Sequence, residues 1–273
     1  MKPRILVTFS LLMLLVIAGV VGYNSFKWGG LEWRFSKTLT VRQAKVDCPA
    51  FTLCVFGNQG SEGGIFLFGD SHAAQLSNAL IDELGGKYKI YFYWAQGCFF
   101  GDKELVPLEY NQPSYCGDIP SKIRGLGPLN IKIMIAAQKY PGYGIKTKEE
   151  IKEAVFSKFS TYQFNPEKLI LLGSTRDIDF KCESQKFFKS AIFRNARCLS
   201  SEESDRNNQF FIDVTQRISL PKNTYFLYPF SIVGTCSSCN VINDGISMYE
   251  DSSHLSYDGA LLVIGQIKEI LRR

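Results

Sequence analysis

Short apolar runs alternate with amphipathic stretches along most of this chain. Five runs predict strands: Ile65–Phe68, Tyr88–Ala95, Ile131–Ala136, Leu169–Leu172 and Tyr225–Tyr228. Four stretches have the apolar spacing of helices: Ser71–Leu84, Lys148–Tyr162, Ser201–Arg217 and Ser256–Leu271. Short apolar strands separated by helices are typical of a parallel sheet covered on both faces. The pattern therefore predicts an α/β fold, a three-layer α/β/α sandwich around a parallel five-stranded sheet.

The N-terminus has a different pattern. Lys2 and Arg4 precede an uncharged apolar run, Ile5–Gly22, whose length suits a short membrane-spanning helix or a long signal-peptide core. We expect residues 1–23 to be a transmembrane signal anchor, with a cleaved signal peptide as the alternative. Residues 24–47 then form a juxtamembrane tether and residues 48–273 one domain. Either interpretation places that domain outside the cytoplasm, in the periplasm or at the cell surface.

Charge excludes one class of partner. The 273-residue chain has a net charge of +5, but residues 1–45 hold seven Lys or Arg and one Glu, a net +6, so the remainder carries −1. Nucleic-acid binding requires a basic surface on the folded domain itself. We therefore expect no nucleic-acid partner.

A serine follows the first predicted strand. Gly69-Asp70-Ser71-His72 lies where that strand ends and a helical stretch begins. The first backbone N–H groups of a helix have no intrahelical partner, and such donors stabilise the oxyanion of a tetrahedral intermediate. This arrangement suits a nucleophilic serine. In the alternative interpretation, Asp70 or Ser71 only caps the helix.

The small number of histidines limits which residue could act as a base for Ser71. The chain has only two, His72 and His254. Asp251 lies three residues before His254, a spacing that lets the carboxylate hold Nδ1–H while Nε2 faces a serine. The pair precedes the last predicted helix, which it would merely cap in the alternative interpretation. His72 is less suited as a base because neighbouring residues of a helical turn project in different directions. We predict a triad of Ser71, His254 and Asp251.

Eight cysteines form four close pairs along the sequence: Cys48 and Cys54, Cys98 and Cys116, Cys182 and Cys198, Cys236 and Cys239. An even number in an exported chain predicts disulfides, and we expect nearest neighbours to pair. Cys236-Ser-Ser-Cys239 also fits half of a zinc site or a redox motif. Zinc needs a second ligand pair, and a redox motif normally opens a helix. We expect no metal and no cofactor.

Three segments carry a resemblance to a known family: GDSHA at 69–73, QGC at 96–98 and YEDSSHLSYDGA at 249–260. With them the chain resembles the SGNH (GDSL-like) hydrolases, whose sheet is flavodoxin-like. More narrowly, it resembles the SGNH domains fused to, or working beside, acyltransferase family 3 membrane proteins that O-acetylate cell-surface glycans. The resemblance implies Ser71 as nucleophile, Asp251 and His254 as the rest of the triad, and the N–H groups of Ser71 and Gly97 as oxyanion donors.

This chain departs from the usual family pattern in one sequence block, where the family places an Asn after a strand as a further oxyanion donor. Here the strand ends in Ala136-Ala137-Gln138-Lys139. Gln138 carries the same amide group on a longer side chain. A competing alignment uses Gly173-Ser174-Thr175 after the next strand, and the sequence leaves both open.

The resemblance implies an extracytoplasmic serine acyl-ester enzyme, an O-acetyltransferase of cell-envelope polysaccharide that works through an acyl-enzyme. An O-acetyl esterase on the same glycans and a non-catalytic glycan-binding or assembly subunit are the alternatives. The chain has one apolar segment of membrane-spanning character. Acetyl groups for a transferase would therefore come from a separate multi-helix acyltransferase in the membrane.

Overall fold

The computed structural model describes residues 45–57, 63–98, 129–139, 166–175, 177, 196–198, 222–235, 238–243, 246–251 and 253–273, together with isolated positions elsewhere. The predicted helix Lys148–Tyr162, most of Ser201–Arg217 and nearly all of the segment 1–23 lie outside these residues. Within the described residues, no helix combines the length and the apolar character needed to cross a membrane.

The structure has one main sheet and one small sheet. In chain order the described strands are β1 Cys54–Phe56, β2 Gly64–Gly69, β3 Lys89–Trp94, β4 Ile131–Ala137, β5 Lys168–Leu172, β6 Ala196–Cys198, β7 Thr224–Leu227, β8 Gly234–Thr235, β9 Ser238–Asn243 and β10 Ile246–Ser247. The main sheet has the order β1-β3-β2-β4-β5-β7. All neighbours in it pair parallel except β1, which pairs antiparallel with β3.

The five predicted strands are all present and parallel, but the main sheet has six strands. We did not predict β1, because three residues are too few to show an alternating pattern. The antiparallel pairings of β9 with β6, β8 and β10 were not predicted either. These segments are rich in Gly, Ser and Asn, which resemble loops in sequence.

The described helices are α1 Ser71–Ala74, α2 Ser77–Leu84, α3 Pro229–Val233 and α4 Tyr257–Arg272. The prediction of one helix over Ser71–Leu84 is therefore wrong at its centre. The Ser77 hydroxyl donates to the Ala74 carbonyl at 2.7 Å. A serine side chain that bonds a nearby carbonyl competes with helical hydrogen bonding, so the chain starts a second helix.

The core lies around β2. Every residue of β2 is buried, as expected for a central strand covered on both faces. On one face, α2 and α4 pack together against the sheet through buried aliphatic side chains: Ala79, Leu80, Leu84, Val263, Ile264 and Ile267. Three layers remain a prediction for the other face, because the helices expected there lie outside or mostly outside the described residues.

Two features of β2 distinguish its carboxyl end: its place in the strand order and the glycine at which it ends. The five parallel strands follow the order 2-1-3-4-5 of flavodoxin-like sheets, in which the loops after β2 and β4 diverge and ligands bind between them. Gly69 ends β2 with φ +147, and a Cβ there would lie 1.9 Å from the Ala137 carbonyl oxygen. Glycine is required at this turn because both the backbone conformation and the space exclude a side chain.

Two of the predicted disulfides are confirmed, Cys48–Cys54 and Cys98–Cys116. The second lies directly after Gly97, on the segment that follows β3. Cys182 and Cys236 lie outside the described residues, so the two remaining pairings stay predictions.

Candidate active site

Asp70 shapes the turn that carries Ser71. Its carboxylate is 2% exposed and accepts hydrogen bonds from the backbone N–H groups of His72, at 2.7 Å, and Lys139, at 2.9 Å. Asp70 is thus the N-cap of α1 and ties this turn to the end of β4. The capping interpretation of the sequence holds for Asp70, and Ser71 is the first helical residue.

The structure brings the three predicted triad residues together. The Ser71 Oγ lies 2.8 Å from Nε2 of His254, and Nδ1 of His254 lies 2.7 Å from Oδ2 of Asp251. The serine and the histidine are 183 positions apart in sequence. With Nδ1–H donated to the carboxylate, Nε2 is the ring nitrogen that can accept a hydrogen bond from the Ser71 hydroxyl.

The Asp251–His254 pair has electrostatics suited to a base. Burial disfavours the charged form of Asp251 and by itself would raise the pKa of this carboxyl. Hydrogen bonds from His254 Nδ1 and from the N–H groups of Ser253 and His254 outweigh the effect of burial and hold the pKa well below its usual range. The hydrogen bond to Asp251 raises the pKa of His254 above its ordinary value, against the effect of burial. The charge of Asp70 adds to that rise, and the charge of Lys139 opposes it. The site therefore stabilises an imidazolium.

The histidine loop does not act as a cap for the last helix. Ser256 is the N-cap of α4, and its hydroxyl accepts from the N–H of Gly259 at 3.3 Å. Before it, the His254 carbonyl accepts from the N–H of Glu250 at 2.9 Å. These bonds leave the His254 ring directed at Ser71, contrary to the alternative of a capping Asp/His pair.

His72 is not placed as a base for Ser71. It is 2% exposed, and its Nε2 lies 3.2 Å from the hydroxyl oxygen of Thr175. Its ring lies beside that of His254, with centroids 5.3 Å apart. The prediction that His72 projects away from the serine hydroxyl agrees with these contacts.

The predicted oxyanion donors all follow strands of the main sheet. Gly97 comes after β3 with φ +65, and Gln138 comes directly after β4 with 1% of its surface exposed. These two strands flank β2, whose end carries Ser71. Ser174 and Thr175, the competing candidates, follow β5, which is one strand farther from the strand that carries Ser71. The Thr175 hydroxyl donates to the Ser253 carbonyl.

Comparison with known proteins agrees with this architecture. The model of a family described as "SGNH domain (fused to AT3 domains)" matches residues 40–269. The chain belongs to this SGNH family. Among solved structures it is similar to the periplasmic domain of a lipopolysaccharide acetyltransferase of Salmonella ser. Paratyphi A, with 18% identity and a TM-score of 0.59 over 79% of this chain and 85% of that one. No curated protein matches the chain.

In this SGNH domain the triad lies in a cleft of about 400 Å³. The cleft is lined by Lys45, Ser71, Ala74, Gln75, Trp94, Gln96, Glu250, Asp251 and His254. No group of three or more His, Cys, Asp or Glu suited to a metal ion occurs in the described part of the chain. Most of the side chains that line the cleft are hydrogen-bonding, charged or aromatic.

Sequence reasoning missed several of these lining residues. Trp94 is only 7% exposed, as is usual for a residue of a covered strand, yet it also forms the cleft wall. The Lys45 ammonium lies 3.7 Å from the Trp94 ring centroid. The Trp94 N–H donates to the Cys48 carbonyl at 2.8 Å. The position of Trp94 at the carboxyl end of a central strand was a usable signal, whereas nothing in the sequence indicated Lys45.

Proposed function

We propose that this protein is an extracytoplasmic serine acyl-ester enzyme that O-acetylates cell-envelope polysaccharide. The hydrogen-bonded series from Asp251 through His254 to Ser71 carries the proposal. Membership of the SGNH family associated with AT3 domains supports the acyl chemistry. The similar Salmonella structure is the periplasmic domain of a lipopolysaccharide acetyltransferase, which supports an acceptor sugar outside the cytoplasm.

In the first step, Ser71 attacks the carbonyl carbon of an acetyl ester while its proton passes to Nε2 of His254. Asp251 holds the ring in the required tautomer and stabilises the imidazolium. The tetrahedral intermediate collapses when the ester C–O bond breaks and His254 returns the proton to the leaving oxygen. An acetyl group then remains on Ser71 Oγ.

We assign the oxyanion to the N–H groups of Ser71 and Gly97, with the Gln138 amide as a third donor. Removal of one such donor typically costs about 3 kcal/mol of transition-state stabilisation. Gln138 is supported by its burial and by its place at the end of the strand adjacent to β2. No metal or cofactor takes part in this scheme.

In the second step, a sugar hydroxyl gives its proton to His254 and its oxygen takes the acetyl group from Ser71. Water does the same chemistry and yields acetate. The side chains of His254 and Asp251 are 27% and 51% exposed, so water reaches this site. Hydrolysis therefore competes with transfer unless the acceptor fills the cleft. We infer that a separate multi-helix acyltransferase supplies the acetyl group.

Ester hydrolysis tests the nucleophile and base. Purified full-length protein in detergent should hydrolyse p-nitrophenyl acetate, and Ser71→Ala and His254→Ala should each reduce kcat by at least about 10⁴-fold. Thermal melting of each variant within a few degrees of the wild type shows that the fold is retained. Equal rates in all three proteins would contradict the enzymatic function and favour a non-catalytic subunit.

A second assay separates transfer from hydrolysis. The protein is given an acetyl ester donor and an envelope-derived oligosaccharide, and mass spectrometry detects an acceptor heavier by one acetyl group. A Ser71-dependent acetylated product supports the transferase. Acetate formed at the same rate with and without acceptor, and no acetylated sugar, identifies an esterase instead.

A further inference from the structure

The loop that carries His254 is shaped by its own hydrogen bonds. Oδ1 of Asp251 accepts from the N–H groups of Ser253, at 2.7 Å, and His254, at 2.8 Å. The N–H of Glu250 donates to the His254 carbonyl at 2.9 Å. These bonds join loop residues to each other. They fix the orientation of the imidazole relative to Asp251 but do not attach the loop to the element that carries Ser71.

Two side chains from elsewhere in the fold provide that attachment. The Thr175 hydroxyl donates to the Ser253 carbonyl, and the Gln75 Oε1 accepts from the Leu255 N–H at 2.6 Å. Ser253 and Leu255 flank His254, so the backbone is held on both sides of the base. Thr175 is 1% exposed and Gln75 4% exposed, which removes water as a competitor for these bonds.

His72 contacts the same Thr175 hydroxyl from the side of the serine turn. A hydroxyl has one proton, and in Thr175 it is donated to the Ser253 carbonyl. The contact of 3.2 Å between Thr175 Oγ1 and His72 Nε2 therefore requires the imidazole to donate. His72 is buried directly after the nucleophile in sequence. A series of contacts thus runs from the serine turn through His72 and Thr175 to the loop that carries His254.

We propose that Thr175, which links His72 to the histidine loop, is a positioning residue that holds the His254 imidazole within hydrogen-bonding distance of Ser71. The inference rests on the proposed function, in which Nε2 of His254 takes the Ser71 proton across 2.8 Å. Thr175 is 1% exposed and its hydroxyl contacts the Ser253 carbonyl and His72, so it acts on the loop and not on substrate. A displacement of about 1 Å at a reacting group reduces rates by up to about a hundredfold.

Two substitutions of full-length protein test this role. Thr175→Val keeps the shape of the side chain but removes the hydroxyl, and Thr175→Ser keeps the hydroxyl. Thr175→Val should lower kcat for p-nitrophenyl acetate by about tenfold to a hundredfold and leave KM within about twofold, because the cleft is untouched. Thr175→Ser should restore kcat to within about threefold of the wild type.

The pH profile separates positioning from a general loss of structure. The contact between Asp251 and His254 lies within the loop, so Thr175→Val should lower the plateau of kcat without moving the midpoint of its pH dependence. A wild-type kcat in Thr175→Val overturns the inference. So does an equal loss in Thr175→Ser, which would show that the methyl packing and not the hydroxyl matters.

An activity-independent measurement distinguishes failure of this inference from failure of the proposed function. The chain has two histidines, so 15N-histidine NMR spectra contain two imidazoles, and His72→Gln assigns them. Thr175→Val should change the His254 Nε2 signal in the same direction as Ser71→Ala. If the wild type lacks Ser71-dependent turnover but this change occurs, the inference stands and the proposed function falls. An unchanged His254 signal overturns the inference whatever the turnover.

Discussion

The serine turn and the histidine loop meet at the Ser71–His254 hydrogen bond but differ in how far they are buried. The serine turn is enclosed by packing, with the buried Asp70 carboxylate as its polar anchor: β2 is entirely buried, and Ala73 of α1 has no exposed surface. Hydrogen bonds hold the histidine loop, in which the Asp251 side chain is 51% exposed. Ser71 thus lies in a closely packed, buried turn, whereas His254 lies in a partly exposed loop held by polar contacts with specific partners.

This difference predicts how each half responds to change. Apolar packing is shared among many side chains, so the serine turn depends on space and backbone conformation more than on one polar partner. A hydrogen-bonded loop depends on a few donors and acceptors, and a single lost partner alters its geometry. Apart from Ser71 itself, substitutions on the serine side should therefore affect stability first, and those on the histidine side should affect turnover first.

The largest expected effect is on the histidine side. Asp251→Asn should lower kcat for p-nitrophenyl acetate by roughly 10⁴-fold, because an amide favours the ring tautomer in which Nε2 carries the proton and cannot accept one. Since Asp251 raises the pKa of His254, the remaining activity should rise at lower pH than in the wild type. Kinetics from pH 5 to 9 measure both effects. An unchanged midpoint would contradict the assigned contact.

On the serine side, Gly69→Ala should mainly unfold the protein. The new Cβ would meet the Ala137 carbonyl oxygen in a backbone with φ +147, which should cost at least about 3 kcal/mol of unfolding free energy. Urea denaturation followed by circular dichroism measures the loss. Gly265→Ala in α4 is the matched control: nothing lies within 4 Å of its Cβ, so it should stabilise the helix by about 0.5–1 kcal/mol. Equal stability of Gly69→Ala and the wild type would show that packing does not constrain the turn.

The same difference explains what could be predicted from the sequence. Apolar periodicity located the five parallel strands and α4, and the strand-to-helix position of Ser71 followed from it. A carboxylate three residues before a histidine is a local signal, so the Asp251–His254 pair could also be predicted from the sequence. Both features depend on neighbours in sequence.

The undetected features depend on pairings between distant residues. Thr175 and Ser253 lie 78 positions apart, and Gln75 and Leu255 lie 180 positions apart. Single polar residues at such separations form no periodic pattern. The edge strand β1 was missed for a related reason, because its three residues acquire their conformation by pairing with β3. The interruption between α1 and α2 arises from one serine hydroxyl, which apolar spacing does not reveal.

A covalent link on the serine side gives a smaller effect. Replacing Cys48 and Cys54 with serine should cost about 2 kcal/mol of unfolding free energy, as expected for a short closed loop. Because packing holds the nucleophile, kcat for p-nitrophenyl acetate should stay within about threefold of the wild type. KM for a glycan acceptor should rise, since the Cys48 carbonyl holds the indole of Trp94 in the cleft wall. A large fall in kcat would mean that the disulfide, not packing, supports this side.

The smallest effect concerns pH and stability on the histidine side. The depressed pKa of Asp251 stabilises the fold above about pH 4, and this stability is lost on acidification. The raised pKa of His254 stabilises the fold below about pH 6.5, and this stability is lost as the pH rises through the pKa of the folded state. His254→Gln should therefore be less stable than the wild type at pH 5.5, and the difference should shrink by pH 9. Because Asp251 is half exposed, we expect less than about 1 kcal/mol in urea midpoints. Because turnover needs neutral His254, activity should rise with pH over the range in which this stabilisation declines. If activity and stability rise together with pH, the Asp251–His254 ion pair is not what holds the loop.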